Sequence, residues 1–225
     1  MRDGSVARSA LMEKSALVNH LYVIVLTLKR DGYQVQKISD TLWLIPTNSG
    51  FSLWKMFDAM KIARQELFFQ GRLQVDLVSA EDPMGAGLVG YYIGKKYGKP
   101  LHVEVMENIF SKYYVSLSYG HLMWSLIARF VVKKASAIRV GSEYIGNALA
   151  EVGTSVADKI VLLPQRIDIA SFEQEPIRVN IATKYPQFKF IILMVAPLNQ
   201  SQNLHLAITA LAQVIQKYSH VGLVI

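Results

Sequence analysis

Short runs of aliphatic and β-branched residues alternate along this chain with longer stretches whose apolar positions recur every three or four residues, the signatures of strands and of amphipathic helices. The runs predict strands at 22–27, 41–46, 75–79, 102–106, 137–141, 159–163, 190–195 and 221–225. The helical period predicts helices at 6–19, 53–69, 83–97, 113–134, 142–152 and 201–218. A repeating alternation of the two kinds of element predicts an α/β fold, a doubly wound and mainly parallel sheet covered on both faces.

The same pattern divides the chain. Residues 172–187 are more polar and carry Pro176 and Pro186, which marks an interdomain linker between a first domain at 1–175 and a second that opens at 188–225. A doubly wound sheet normally begins with its central strand. Here Gly4 and Ser5 lead directly into the first helix, so the first domain is expected to lack that strand. The strand, helix and strand from 188 onward cannot bury a sheet face by themselves, so the second domain is expected to be truncated and the chain to be a fragment.

Composition narrows the classes. Of 225 residues 52% are hydrophobic and 18% charged, which fits a folded chain and not a disordered one. The absence of cysteine excludes disulfides, thiolate metal sites and cysteine nucleophiles, and is compatible with a reducing compartment. The longest apolar stretch, 122–132, is interrupted by Ser125 and Arg129 and falls short of the roughly 20 residues a spanning helix needs. A soluble, cytoplasmic protein is expected. The net charge of +7 is dispersed over Lys95, Lys96 and Lys99 in one place and Lys133 and Lys134 in another, with no nucleic-acid recognition motif beside it. No nucleic-acid partner is expected. The 113–134 helix sets Trp124, Leu126, Ile127, Phe130 and Val131 beside Arg129, Lys133 and Lys134, a pattern shared by helices on membrane surfaces and, more often, by helices facing a core.

Catalytic motifs are scarce. His20, His102, His121, His205 and His220 show no metal-ligand spacing, and no G-x-S-x-G elbow supplies a serine nucleophile, so neither a metal nor a catalytic residue is assigned. Gly85, Gly87 and Gly90 fit G-x-G-x-x-G after a strand, with Glu107 near the position of a ribose-binding acid, which raises a dinucleotide-dependent oxidoreductase as one alternative. Against it, Asp82 followed by Pro83 is a helix-start signal that places all three glycines inside the helix. No cofactor is therefore expected. Gly4, Ser5 and Arg8 offer amides, a hydroxyl and a guanidinium to a phosphate, although a solvated helix cap is the commoner meaning of such a group.

Several segments together carry a family resemblance. Ser142-Glu143 opens a late helix, and Leu163-Pro164-Gln165-Arg166-Ile167-Asp168 follows the next strand. Upstream are the strands ending near Asp82-Pro83 and at Glu107-Asn108. In this order they resemble the retaining glycosyltransferases of family 4, which have the two-domain, Rossmann-like GT-B fold. The resemblance implies metal-independent transfer of a sugar from a nucleoside-diphosphate sugar to a hydroxyl of a glycan or lipid acceptor; peripheral membrane contact is the alternative that the 113–134 helix offers. It implies substrate-binding roles for Gly4, Ser5, Arg8, Asp82, Glu107, Asn108, Ser142 and Glu143. Met106 stands where the family has a histidine, and Pro197 and Gln202 stand where it has the arginine and lysine that bind the donor's diphosphate. Departure of a diphosphate needs compensating positive charge that Pro197 and Gln202 cannot give, so the chain alone is expected to be inactive. The contrasting expectation is a non-catalytic, glycan- or partner-binding α/β module.

Overall fold

The computed structural model describes residues 6–69, 72–73, 75–165, 169–174, 176, 178–198 and 202–225. Two compact units divide between Gln165 and Arg166. The first contains α1 (Val6–Ser15), β1 (Leu21–Val25), β2 (Gln36–Ser39), β3 (Leu42–Pro46), α2 (Lys55–Glu66), β4 (Phe68–Phe69), β5 (Arg72–Leu73), β6 (Val78–Ala80), α3 (Gly85–Tyr97), β7 (Leu101–Val105), α4 (Lys112–Ser116), α5 (Tyr119–Lys134), β8 (Ala137–Val140), α6 (Glu143–Ala150), α7 (Thr154–Ala157) and β9 (Ile160–Leu162). The second contains α8 (Ile169–Gln174), α9 (Ile181–Lys184), β10 (Phe190–Leu193), α10 (Leu204–Val214) and β11 (Val221–Val224).

Four strands, β6-β7-β8-β9, form a wholly parallel sheet. A separate three-stranded sheet runs β1-β3-β2, in which β1 and β3 are parallel and β2 is antiparallel. In the second unit β10 and β11 pair in parallel. The α/β architecture is therefore the expected one, but among the described residues the strands of the first unit form these two sheets and a short antiparallel pair, β4-β5. Other differences have local causes. The helix expected over 113–134 is two helices, because the Ser118 hydroxyl accepts from the His121 amide and restarts the chain as α5. The stretch read as a linker holds part of α8 and all of α9, the latter capped by the Asn180 side chain on the Thr183 amide. Strand β2, which sequence reading missed, is a short polar edge with a bulge between Lys37 and Ser39.

The core explains why these elements stay together. Side chains on one face of the four-stranded sheet, Val103, Ile138 and Val140, are fully buried against Val131 and Val132 of α5 and Leu149 of α6. Each such side chain contributes about 1.5–3 kcal/mol. A second cluster joins Ala59 and Ala63 of α2 to Val89 and Ile93 of α3, with Tyr22, Ile24 and Val78 against it. The glycines of α3 permit its close approach to the loops at its two ends, to α5 and to the sheet. A Cβ on Gly87 would stand 2.8 Å from the Asp82 carbonyl oxygen, and one on Gly94 would stand 2.7 Å from that of Lys99.

Side chains of β7 alternate, so His102 and Glu104 lie on the opposite, polar face. Glu104 is 8% exposed, and its carboxylate meets Lys14 of α1 at 3.0 Å and Arg139 of β8 at 3.3 Å. Arg139 also donates to the carbonyls of Leu163 and Pro164. Ser79 Oγ lies 2.8 Å from His102 Nδ1. Burial holds the His102 pKa below its ordinary value; Glu104 opposes that shift, and Lys14 and Arg139 reinforce it.

Two outcomes follow from this packing. Gly94→Ala forces a backbone oxygen to move and should destabilise the protein by about 1–3 kcal/mol in urea unfolding; an unchanged midpoint would show that the turn after α3 yields freely. For His102, the unfolded imidazole takes a proton near pH 6.5 while the folded one resists until lower pH. Its contribution to stability is thus present above pH 6.5 and is lost as pH falls through the folded pKa. The urea midpoint should drop on acidification from pH 8 to pH 5, and His102→Gln should flatten that slope.

Candidate functional site

The carboxyl ends of parallel strands are where loops collect and ligands bind in open α/β sheets. In the first unit β6 ends before Asp82, β7 before Glu107 and Asn108, and β8 before Ser142 and Glu143. An open cleft of about 600 Å³ lies there, lined by Asp82, Met84 and Gly85 at the start of α3, Tyr114 of α4, Ser118, and Gly120, His121 and Trp124 of α5.

Each wall has a local origin. The Asp82 carboxylate accepts from the amides of Met84 at 2.7 Å and Ala86 at 3.4 Å, so it caps the helix whose first turn borders the cleft. Ser111 and Ser118 cap α4 and α5 and thereby fix Tyr114 and His121, each three residues beyond its cap. The two rings meet edge to face with centroids 4.7 Å apart, and the Ser118 hydroxyl lies 2.7 Å from His121 Nδ1. Burial, with the charges of Glu107 and Asp82, pushes the Tyr114 phenol above its ordinary pKa.

The sequence-derived candidates are unevenly gathered. Asp82 lines the cleft, and Glu107 acts on Tyr114 within it. Asn108 is partly buried; its amide nitrogen donates to the Tyr144 hydroxyl at 3.2 Å, while its Oδ1 is buried with no hydrogen-bond partner. Ser142 is occupied as the cap of α6, accepting from the Ile145 amide, and Glu143 is exposed in the first turn of that helix. Arg8 stands in the first turn of α1, partly buried. Gly4 and Ser5 lie outside the described residues. Gly85, Gly87 and Gly90 are all helical, and Gly87 and Gly90 face the carbonyl of Asp82, Val131 and Leu101 at contact distance. These glycines serve packing, and Asp82 holds the amides a pyrophosphate would need.

Sequence reading missed Tyr114, Ser118, His121, Trp124 and Tyr144. The available signal was a repeated serine followed three residues later by a ring, Ser111 with Tyr114 and Ser118 with His121. Reading α5 by its apolar stripe also misassigned faces. Its buried face is made of Ser125, Ala128, Val131 and Val132, whereas Trp124, Leu126 and Phe130, with Leu122 and Met123, are exposed. Among the described residues no cluster of His, Asp or Glu could hold a metal ion, and no helix is long and apolar enough to cross a membrane.

No protein-family model and no curated protein matches this sequence. Solved structures do. A sucrose-phosphate synthase from Thermosynechococcus elongatus aligns over 98% of this chain and 65% of its own, with a TM-score of 0.59 and 16% identity. Anabaena HepE in complex with UDP-glucose aligns over 82% of this chain and 46% of its own, with a TM-score of 0.57 and 16% identity. HepE with UDP and glucose gives 77%, 45%, 0.54 and 17%. The fold is GT-B, as the resemblance implied, and this chain spans about half to two-thirds of the length of these structures.

The Tyr114 phenol provides a direct test of the cleft's electrostatics. Because burial and two carboxylates favour its neutral form, it should ionise later than free tyrosine, and Glu107→Gln should bring the titration back toward the ordinary value. The ring carbon resonance of Tyr114, assigned with Tyr114→Phe, reports this; an identical titration in Glu107→Gln would remove Glu107 from the cleft.

Proposed function

We propose that the first unit is the acceptor-side half of a glycosyltransferase that moves a sugar from a nucleoside-diphosphate sugar to a hydroxyl of a glycan or membrane lipid. The observation that carries this reading is the buried, unpartnered Oδ1 of Asn108 at the carboxyl end of β7. An unmet buried acceptor costs about 1–3 kcal/mol, and a hydroxyl donor from a ligand would recover it. Glu107 and Asp82 make the neighbouring cleft acidic, which suits hydroxyl donors, and Tyr114 and Trp124 offer rings to the apolar face of a sugar. The outward apolar side of α5 with exposed Lys133 and Lys134 favours an acceptor presented at a lipid surface.

Support for the sugar-nucleotide donor comes from the fold shared with HepE, whose solved complexes hold UDP-glucose. Neutral Pro197 and Gln202 supply no diphosphate-binding charge, which supports acceptor binding, and not donor turnover, as the part played by these residues.

Binding can be read from the Trp124 indole resonance during titration with phosphatidylglycerol vesicles that carry a glycolipid. Glycolipid vesicles should shift it, Asn108→Ala should weaken the effect about tenfold, equivalent to about 1.4 kcal/mol, and Asn108→Asp, which keeps an acceptor oxygen, should retain more of it. Equal responses to plain and glycolipid vesicles, with no effect of Asn108→Ala, would overturn the acceptor site and leave a lipid-surface contact.

A further inference from the structure

The cleft at the start of α3 differs in charge from the rest of the protein. The chain holds 24 lysines and arginines against 17 aspartates and glutamates, yet no lysine or arginine is among the described residues that line this cleft. Asp82 is in its wall, and the charges that act on the Tyr114 phenol are those of Glu107 and Asp82. Among the described residues neither carboxylate is held in an ion pair. A basic protein therefore carries here a negative site with no counter-charge of its own.

The other walls are aromatic. Tyr114 and His121 stand 4.7 Å apart between centroids with their planes at 79°, two walls meeting at nearly a right angle. Trp124 follows His121 by three residues on α5, shares that side of the helix and lines the same cleft. Two of the rings are anchored. The Tyr114 hydroxyl donates to Met84 Sδ at 3.5 Å, which ties it to the start of α3, and Ser118 Oγ holds His121 through Nδ1 at 2.7 Å. Trp124 is 40% exposed and so keeps ring surface for a ligand.

Charge and rings together select among ligands. A hard metal ion wants six or more oxygen ligands, whereas one carboxylate lines the cleft, and among the described residues no group of three His, Asp or Glu could hold a metal. An anion meets like charge and finds the Met84 and Ala86 amides taken by Asp82. A neutral hydroxyl compound gains ring contact and hydrogen bonds, but nothing from the unpaired charge. An organic ammonium group gains from both walls, because carboxylates attract its charge and aromatic faces attract a weakly hydrated cation.

We infer that the cleft binds an organic ammonium group, with Tyr114, His121 and Trp124 as its aromatic walls and Asp82, backed by Glu107, as its counter-charge. That the ammonium belongs to a sugar acceptor rests on the acceptor-side reading proposed above; that the cleft takes an ammonium group does not. Two sources share this chemistry, a quaternary lipid headgroup and an amino sugar.

The test uses two matched pairs of probes. Choline and its uncharged carbon analogue dimethylbutanol have one shape and differ in charge; glucosamine and glucose differ in an ammonium against a hydroxyl. Each is titrated into the full chain near neutral pH while the Trp124 indole resonance, assigned with Trp124→Leu, is followed. At least one ammonium compound should bind about tenfold or more tightly than its neutral partner. Preference for choline assigns the site to a quaternary headgroup, and preference for glucosamine to an amino sugar. Choline keeps its charge at every pH, so when bound it should lower the Tyr114 pKa by favouring the phenolate, and dimethylbutanol should not. Asp82→Asn keeps a side-chain acceptor for the cap of α3 and removes the charge; it should weaken the ammonium compounds about tenfold and leave the neutral ones unchanged. Equal affinities within both pairs overturn the inference, and so does an ammonium preference that Asp82→Asn does not diminish. The comparison of the four probes needs no variant, so it decides even if Asp82→Asn fails to fold. An ammonium preference combined with glycolipid binding that ignores Asn108→Ala would keep the ammonium site and remove the acceptor reading. Equal affinities combined with glycolipid binding that depends on Asn108 would do the reverse.

Discussion

Glu104 sits on the polar face of β7 almost out of solvent, with one carboxylate oxygen on Lys14 of α1 and the other on Arg139 of β8. A buried carboxylate is tolerated only when paired, and loss of one partner of such a pair costs about 3–5 kcal/mol. That requirement ties together parts of the chain with no other reason to meet. Through Lys14 it draws α1 across the sheet, and through Arg139, which also holds the Leu163 and Pro164 carbonyls, it fixes the exit of β9. Pairing of β7 with β8 in register, Glu104 opposite Arg139, is then specified by charge on one face and by Val103 against Ile138 on the other. A slip by one residue would bury the charges in the apolar layer.

The opposite face obeys a different constraint, that of size. Helix α3 carries Gly87, Gly90 and Gly94 toward its neighbours, and α5 presents Ser125 and Ala128 inward. Small residues let helix and sheet approach closely, and close approach brings the start of α3 beside α4 and α5, which makes the cleft. It also forces the large residues of α5 outward. The exposed Met123, Trp124, Leu126 and Phe130 are thus a consequence of how the inner face packs, and they give the unit an apolar exterior on the helix that also lines the cleft.

Much of this was legible in the chain. The alternation of strand and helix, and the Asp82-Pro83 start that puts three glycines inside α3, follow from local chemistry and survive in the structure. What was not legible depends on partners distant in sequence. Helix α5 is apolar nearly all round, so periodicity alone could not tell the face that meets β7 and β8 from the one that meets solvent. Asp82 was read both as a cap and as a ligand-binding residue; the structure shows the cap and sets the same carboxylate at the cleft wall. Ser142 proves to be a cap whose hydroxyl is already engaged. Asn108 was singled out through the family resemblance, but only the fold reveals that its oxygen is buried and unmatched among the described residues.

The charges around the cleft limit what chemistry it can host. Burial, and then Glu107 and Asp82, raise the pKa of Tyr114, so a proton-donating phenol is held neutral near two anions. A diphosphate brought to this place would meet like charge and find the Met84 and Ala86 amides at the start of α3 taken by Asp82. A hydroxyl-bearing ligand meets acceptors instead: the Asp82 carboxylate in the cleft, the charge of Glu107 acting on Tyr114, and next to Glu107 in sequence the oxygen of Asn108, which has no partner among the described residues. Under the acceptor-side reading proposed above, a cleft that repels phosphate and accepts hydroxyls selects its ligand by electrostatics.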